Sequence, residues 1–154
     1  MSDSPSSAPF LERVRTQAEV LVPLIKRLEA ELGTERAHRM VREVLSSYFR
    51  SCADEYVRAA EGDPVRAFVH FAADTTAGEV IETEQLEGAP GEVNFDVTDC
   101  KYAKFFKSLG EPELGFLLVC AMDFDVADVL GLGLQRTTTI MQGADRCDFR
   151  WQLP

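Results

Sequence analysis

Apolar residues recur at three- or four-residue spacing from Phe10 through Val14, Ala18, Leu21, Ile25 and Leu28 to Leu32. This is one face of a long helix, opened near Pro9 and closed by Gly33. Pro23 lies inside it and predicts a kink or a break, because its ring removes a backbone donor. Thr34 can cap a second helix reaching about Ala60, with the stripe Ala37, Val41, Val44, Tyr48, Cys52 and Tyr56. Asp63-Pro64 is a cap and first-turn pair for a third helix, Val65 to about Ala73, whose inner face is Val65, Phe68, Val69 and Ala72. His70 projects away from that face and reads as a solvated histidine. His38, near Arg36 and Arg39, offers no stronger catalytic signal.

The period changes after Gly78. Val80 to Leu86 and Val93 to Val97 both alternate, with Gly88-Ala89-Pro90-Gly91 between them, which predicts a hairpin. Thr98 or Asp99 then caps a helix from about Cys100 to Leu109, ended by Gly110. Pro112 opens another, through Leu117, Leu118 and Ala121 to around Asp125 or on to Leu130, before Gly131 and Gly133 break it. Leu134 to Gln142 and Arg146 to Leu153 predict a second hairpin around Gly143-Ala144-Asp145. The sum is an α+β fold: a helical amino-terminal half packed on a roughly four-stranded antiparallel sheet with two inserted helices. Residues 1–8 read as a disordered leader and residues 9–154 as a single α+β domain.

Charge narrows the function classes. A net charge of −10 argues against nucleic acid or an anionic membrane surface as partner, since both repel an acidic protein. No apolar run approaches the roughly 18 residues of a membrane span. The leader lacks the basic and apolar regions of a signal peptide, so the expected location is cytoplasmic and the cysteines are expected reduced. The exposed face of the long first helix could support a homodimer.

Three of the four cysteines fall late in the chain, at Cys100, Cys120 and Cys147. Cys100 is expected in the first turn of its helix, with Lys104 one turn on. Backbone amides, helix dipole and ammonium would all lower its pKa, which makes a nucleophile without histidine. The plain alternative is a half-buried, inert thiol. Cys120 and Asp123 are neighbours at i and i+3, an arrangement suited to proton transfer, although Cys120 sits in the apolar run Phe116-Leu117-Leu118-Val119. Cys147 alternates with Phe149 and Trp151 on one strand face, and Arg136 is the expected anchor for an anion. Cys52 reads as core. There is no C-x-x-C, no H-E-x-x-H and no glycine-rich phosphate loop, and the cysteine spacing matches no standard zinc site, so neither a metal nor another cofactor is expected.

The run Cys100-Lys101-Tyr102-Ala103-Lys104-Phe105-Phe106, then Leu109-Gly110-Glu111-Pro112-Glu113-Leu114-Gly115, Cys120 with Asp123, Arg136-Thr137 and Gly143…Cys147-Asp148-Phe149 resembles the L-2-amino-thiazoline-4-carboxylic acid hydrolase family. The likeness extends over nearly the whole chain. It implies a cysteine-dependent hydrolase acting on a non-peptide carbon–nitrogen or carbon–sulfur linkage in a small cyclic amidine or thiazoline carboxylic acid. On that reading Cys100, or else Cys147, attacks the ring carbon and Asp123 moves protons. Arg136 holds the substrate carboxylate, and Asn94 or Tyr102 binds the ring nitrogen. Locally, Cys120-Ala121-Met122-Asp123 is similar to a segment of organomercurial lyase, which makes a carbon–heteroatom lyase using two cysteines and an aspartate the second reading. A non-enzymatic sensor domain that binds a small molecule or metal through its cysteines is the third.

Overall fold

A computed structural model describes residues 9–154, so the expected leader lies outside the described residues. Three helices come first: α1 (Phe10–Leu32), α2 (Thr34–Ala59) and α3 (Pro64–Thr76). Strands β1 (Ile81–Leu86) and β2 (Glu92–Cys100) form the first hairpin, followed by α4 (Lys101–Ser108) and α5 (Pro112–Gly115). A π turn (Phe116–Cys120) runs into α6 (Met122–Leu130), then β3 (Gly133–Gln135), a 3₁₀ turn (Ile140–Gln142) and β4 (Cys147–Gln152). The four strands form one antiparallel sheet in the order β1-β2-β4-β3. The fold is α+β, as the hydrophobic pattern implies.

Helix α1 passes through Pro23 without a break, and that residue sits on its exposed side. The stripe of α2 differs from the expected one. Val44 and Tyr48 are 70% and 50% exposed, whereas Phe49 and Ala53 are buried and Leu45 packs on both cores. The helix must serve two hydrophobic clusters, so its buried line winds by fours along Ala37, Val41, Leu45, Phe49 and Ala53 rather than holding one straight face. In α3 the burial likewise turns from Val65 and Val69, which are exposed, to Ala67 and Phe71. Burying a phenylalanine ring outweighs covering two valines. His70 is exposed, and His38 meets the Glu29 carboxylate at 2.7 Å.

One core gathers α1, α4, the π turn and the 3₁₀ turn. The other gathers α2, α3, α6 and Trp151. On the inner sheet face, Val97 stands opposite Cys147, Phe95 opposite Phe149 and Val93 opposite Trp151. Phe68 and Phe71 of α3 meet the Trp151 ring at 4.9 and 6.3 Å. The other face carries Asp96, held by Arg150 at 2.9 Å and Arg146 at 3.0 Å.

The second hairpin is much shorter than the alternation suggests. After Gln135 the chain leaves the sheet, because Asp148 takes the amides a strand would have offered: Thr137 N at 2.8 Å and Thr138 N at 2.7 Å. The hydroxyls of Thr137 and Thr138 also donate to it, at 2.5 and 3.1 Å. The long expected strand thus becomes a short strand, a tight loop and a 3₁₀ turn. Among the described residues no helix is long and apolar enough to cross a membrane.

Candidate active site

A cavity of about 270 Å³ lies between the two cores and the inner sheet face. Its walls are mainly hydrocarbon and aromatic: Phe10, Phe68, Phe71, Val93, Phe95, Val97, Val119, Met122, Phe149 and Trp151 contribute. Cys100, Cys120, Cys147, Asp123, Arg136 and Tyr102 reach the same cavity from six segments. The three thiols, Asp123 and Arg136 lie near enough to perturb one another's ionisation. Cys52 lies on α2, outside this lining.

Cys100 does not sit in the first turn of α4. Strand β2 runs through it, and its sulfur is itself the cap, accepting from Ala103 N at 3.4 Å. Lys104 is tied to Asp99 at 2.6 Å and lends the thiol nothing. Burial raises the Cys100 pKa and overrides the opposing donation from the Ala103 and Tyr102 amides. The expected pre-ionised thiolate is therefore corrected to a resting thiol with an amide aimed at its sulfur. Cys147 is similar: burial pushes it up, while Ile140 N donates to its sulfur at 3.2 Å.

Cys120 ends the π turn, and Asp123 follows in the first turn of α6. The wider turn closes with Ala121 N donating to the Phe116 carbonyl at 2.9 Å. Gly115 permits this path. A β-carbon there would lie 2.6 Å from Met141 Sδ and 2.6 Å from Phe106 Cγ. Helix α6 is held in rotation by buried Asp125, which accepts from Arg42 at 2.7 Å and Ser46 at 2.6 Å. Cys120 is raised well above the usual thiol pKa, first by burial and then by the nearby Asp123 charge.

Burial also lifts Asp123, to about 6, against the opposing charge and hydrogen bond of Arg136. A carboxylic acid poised there can give or take a proton near neutral pH. Arg136 lines the same cavity as Cys147. Its side chain is only 2% exposed, and its two terminal nitrogens donate to Asp123 and, at 2.9 Å, to the Cys120 carbonyl. Phe116, Phe124 and Phe149 surround it, with ring centroids at 5.9, 5.0 and 5.2 Å. The fork expected free for a substrate carboxylate is therefore already paired with Asp123.

Two further expectations change. Asn94 projects from the opposite sheet face to Val93 and Phe95, beside Asp96, and donates to the Glu87 carbonyl at 3.3 Å. It does not reach the cavity. Tyr102 does, but its hydroxyl donates to the Thr75 carbonyl at 2.6 Å, so it presents a ring rather than a free donor.

Asp148 is not among the expected site residues, yet it folds the loop that delivers Arg136. Burial works against its charge, but the Thr137 and Thr138 donors prevail and hold it far below the carboxylate range. The run Thr137-Thr138-Thr139 opposite a strand aspartate is the sequence signal for such a loop. Among the described residues no group of three or more His, Cys, Asp or Glu is arranged to hold a metal ion. Among curated proteins none matches the chain. The family model described as L-2-amino-thiazoline-4-carboxylic acid hydrolase matches residues 13–151, and the chain belongs to that family.

Proposed function

We propose that the protein is a thiol-dependent hydrolase that opens a carbon–nitrogen or carbon–sulfur linkage in a small thiazoline or cyclic-amidine ring. The observation that carries this reading is the meeting of three thiols, Asp123 and Arg136 in one mainly apolar cavity. Because burial raises all three thiols, the nucleophile must be made during the reaction. Asp123 takes the proton from Cys100, the first choice, or Cys147. In either case a backbone amide awaits the sulfur charge.

The thiolate attacks the ring carbon between nitrogen and sulfur. Asp123 returns the proton to the ring sulfur as the carbon–sulfur bond breaks, and the ring opens to a covalent isothiourea adduct. Water, deprotonated by Asp123, then adds to the same carbon and expels the cysteine. The net change is the addition of one water, giving a carbamoyl product and the free thiol. Arg136 orients Asp123 and limits how far its pKa climbs; a substrate carboxylate would have to share Arg136 with Asp123.

Cys100→Ser, Cys120→Ser and Cys147→Ser test the reading directly. The nucleophile's variant should lose at least about 10³-fold in kcat. Full turnover in all three, each folded by circular dichroism, refutes covalent thiol catalysis. One observation favours the carbon–heteroatom lyase as a second reading: Cys120 keeps its proton firmly and adjoins Asp123, as a protonating pair would. Cleavage without water incorporation distinguishes it.

A further inference from the structure

We propose that the substrate carries an uncharged apolar limb, aryl or branched alkyl, where the family's name places a carboxylate. The inference rests on reading the cavity as the hydrolytic site, and it follows from which polar groups in the lining remain available. Arg136 is the one basic side chain among the described lining residues, and two of its five N–H groups already serve Asp123 and the Cys120 carbonyl. The hydroxyls are spent as well. Thr75 donates to the Phe71 carbonyl at 2.9 Å, Thr76 to the Ala72 carbonyl at 2.7 Å and Tyr102 to the Thr75 carbonyl at 2.6 Å. Gln85 also lines the cavity, but it is exposed and sits at a shallow opening shared with Thr83 between α3 and β1. A carboxylate deep inside would stand against an apolar wall or compete with Asp123 for the one guanidinium, and both carry a desolvation penalty.

The rest of the space favours hydrocarbon. The Phe95 and Phe149 rings lie 15° from parallel, and Phe149 and Trp151 lie 5° from parallel, so their faces suit a planar group slipped alongside. A dry apolar cavity of about 150 Å³ holds benzene. The 270 Å³ here accommodates a five-membered ring together with a second small ring or a branched chain.

Trp151 is the chain's single tryptophan and lines the cavity, so its fluorescence reports occupancy. The test titrates wild-type protein with 2-amino-4-phenyl-2-thiazoline and with 2-amino-2-thiazoline-4-carboxylic acid, which differ only in the limb. The phenyl compound should bind about 10- to 100-fold more tightly, the range expected for burying one apolar side group. Ala72→Leu narrows the apolar wall and should weaken the phenyl compound by at least about tenfold while changing the acid less than about threefold. Equal or tighter binding of the acid overturns the inference, as does no Trp151 response to either compound. The wild-type comparison decides even if the Ala72 variant does not fold. Because the Trp151 signal is read on rapid mixing, before turnover, failure of thiol catalysis leaves this result standing, and the reverse also holds.

Discussion

Asp123 should make the fold less stable as the pH rises through about 6. An unfolded aspartate ionises near 3.9, and burial lifts the folded value to about 6. Its folded form thus holds a proton over a range in which the unfolded chain has released it, so stability is greatest at acid pH and falls as the group ionises in place. Fully developed, the cost is about 2.9 kcal/mol; of this, about 1.4 kcal/mol appears between pH 5.0 and 7.5. Other perturbed groups act outside this window. Asp96 and Asp148, both lowered, stabilise the fold above about 3.9 and lose that contribution only below it. The raised cysteines matter only above about 8.5. Urea unfolding at the two pH values measures the effect; with a slope near 2 kcal/mol per M, the midpoint should be about 0.7 M lower at pH 7.5. The doubly neutral Asp123→Asn/Arg136→Met protein should lose that difference, because replacing both partners leaves no buried charge. A wild-type midpoint that stays level or rises with pH, relative to this control, would refute the raised pKa.

Three further outcomes follow from the same geometry. Asp148→Ala should cost about 2 kcal/mol in denaturant unfolding by removing the acceptor of four donors. It should also lower kcat/KM at least about tenfold by loosening Arg136, and Asp148→Asn should restore much of both. Gly115→Ala drives a methyl into Phe106 and Met141 and should destabilise by about 1–3 kcal/mol; a change under about 0.5 kcal/mol would contradict the close approach. A chromogenic disulfide at pH 7 should label all four thiols more slowly than free cysteine, the rate climbing above pH 9. One thiol faster than free cysteine at pH 7 would show that a thiolate pre-exists after all.

The helices, the first hairpin and the α+β class were legible because they rest on periodicity, which is local. Burial within them was less so. Val44 and Phe49 compete for the same turn of α2, and only the second core decides for Phe49. Cys100, Cys120, Asp123 and Cys147 could be named from residue type and spacing, but their ionisation could not. The helix-terminus logic for Cys100 is present in the Ala103 amide, yet desolvation outweighs it. The π turn at Phe116–Cys120 has no marker in its apolar sequence. Asp148 reads as an ordinary outward strand residue until Thr137 and Thr138 fold onto it. Asn94 was lost to the parity of β2: one residue either way would have turned it into the cavity.

Acid-quenched mass spectrometry during turnover of a 2-aminothiazoline tests the central claim most directly. The account predicts a ring-opened substrate mass on the peptide bearing Cys100, or else Cys147, in wild-type protein, absent from the matching serine variant and from Asp123→Asn protein, which lacks the base that makes the thiolate. Undiminished turnover with no adduct on any cysteine, in protein that still binds the compound beside Trp151, would contradict it.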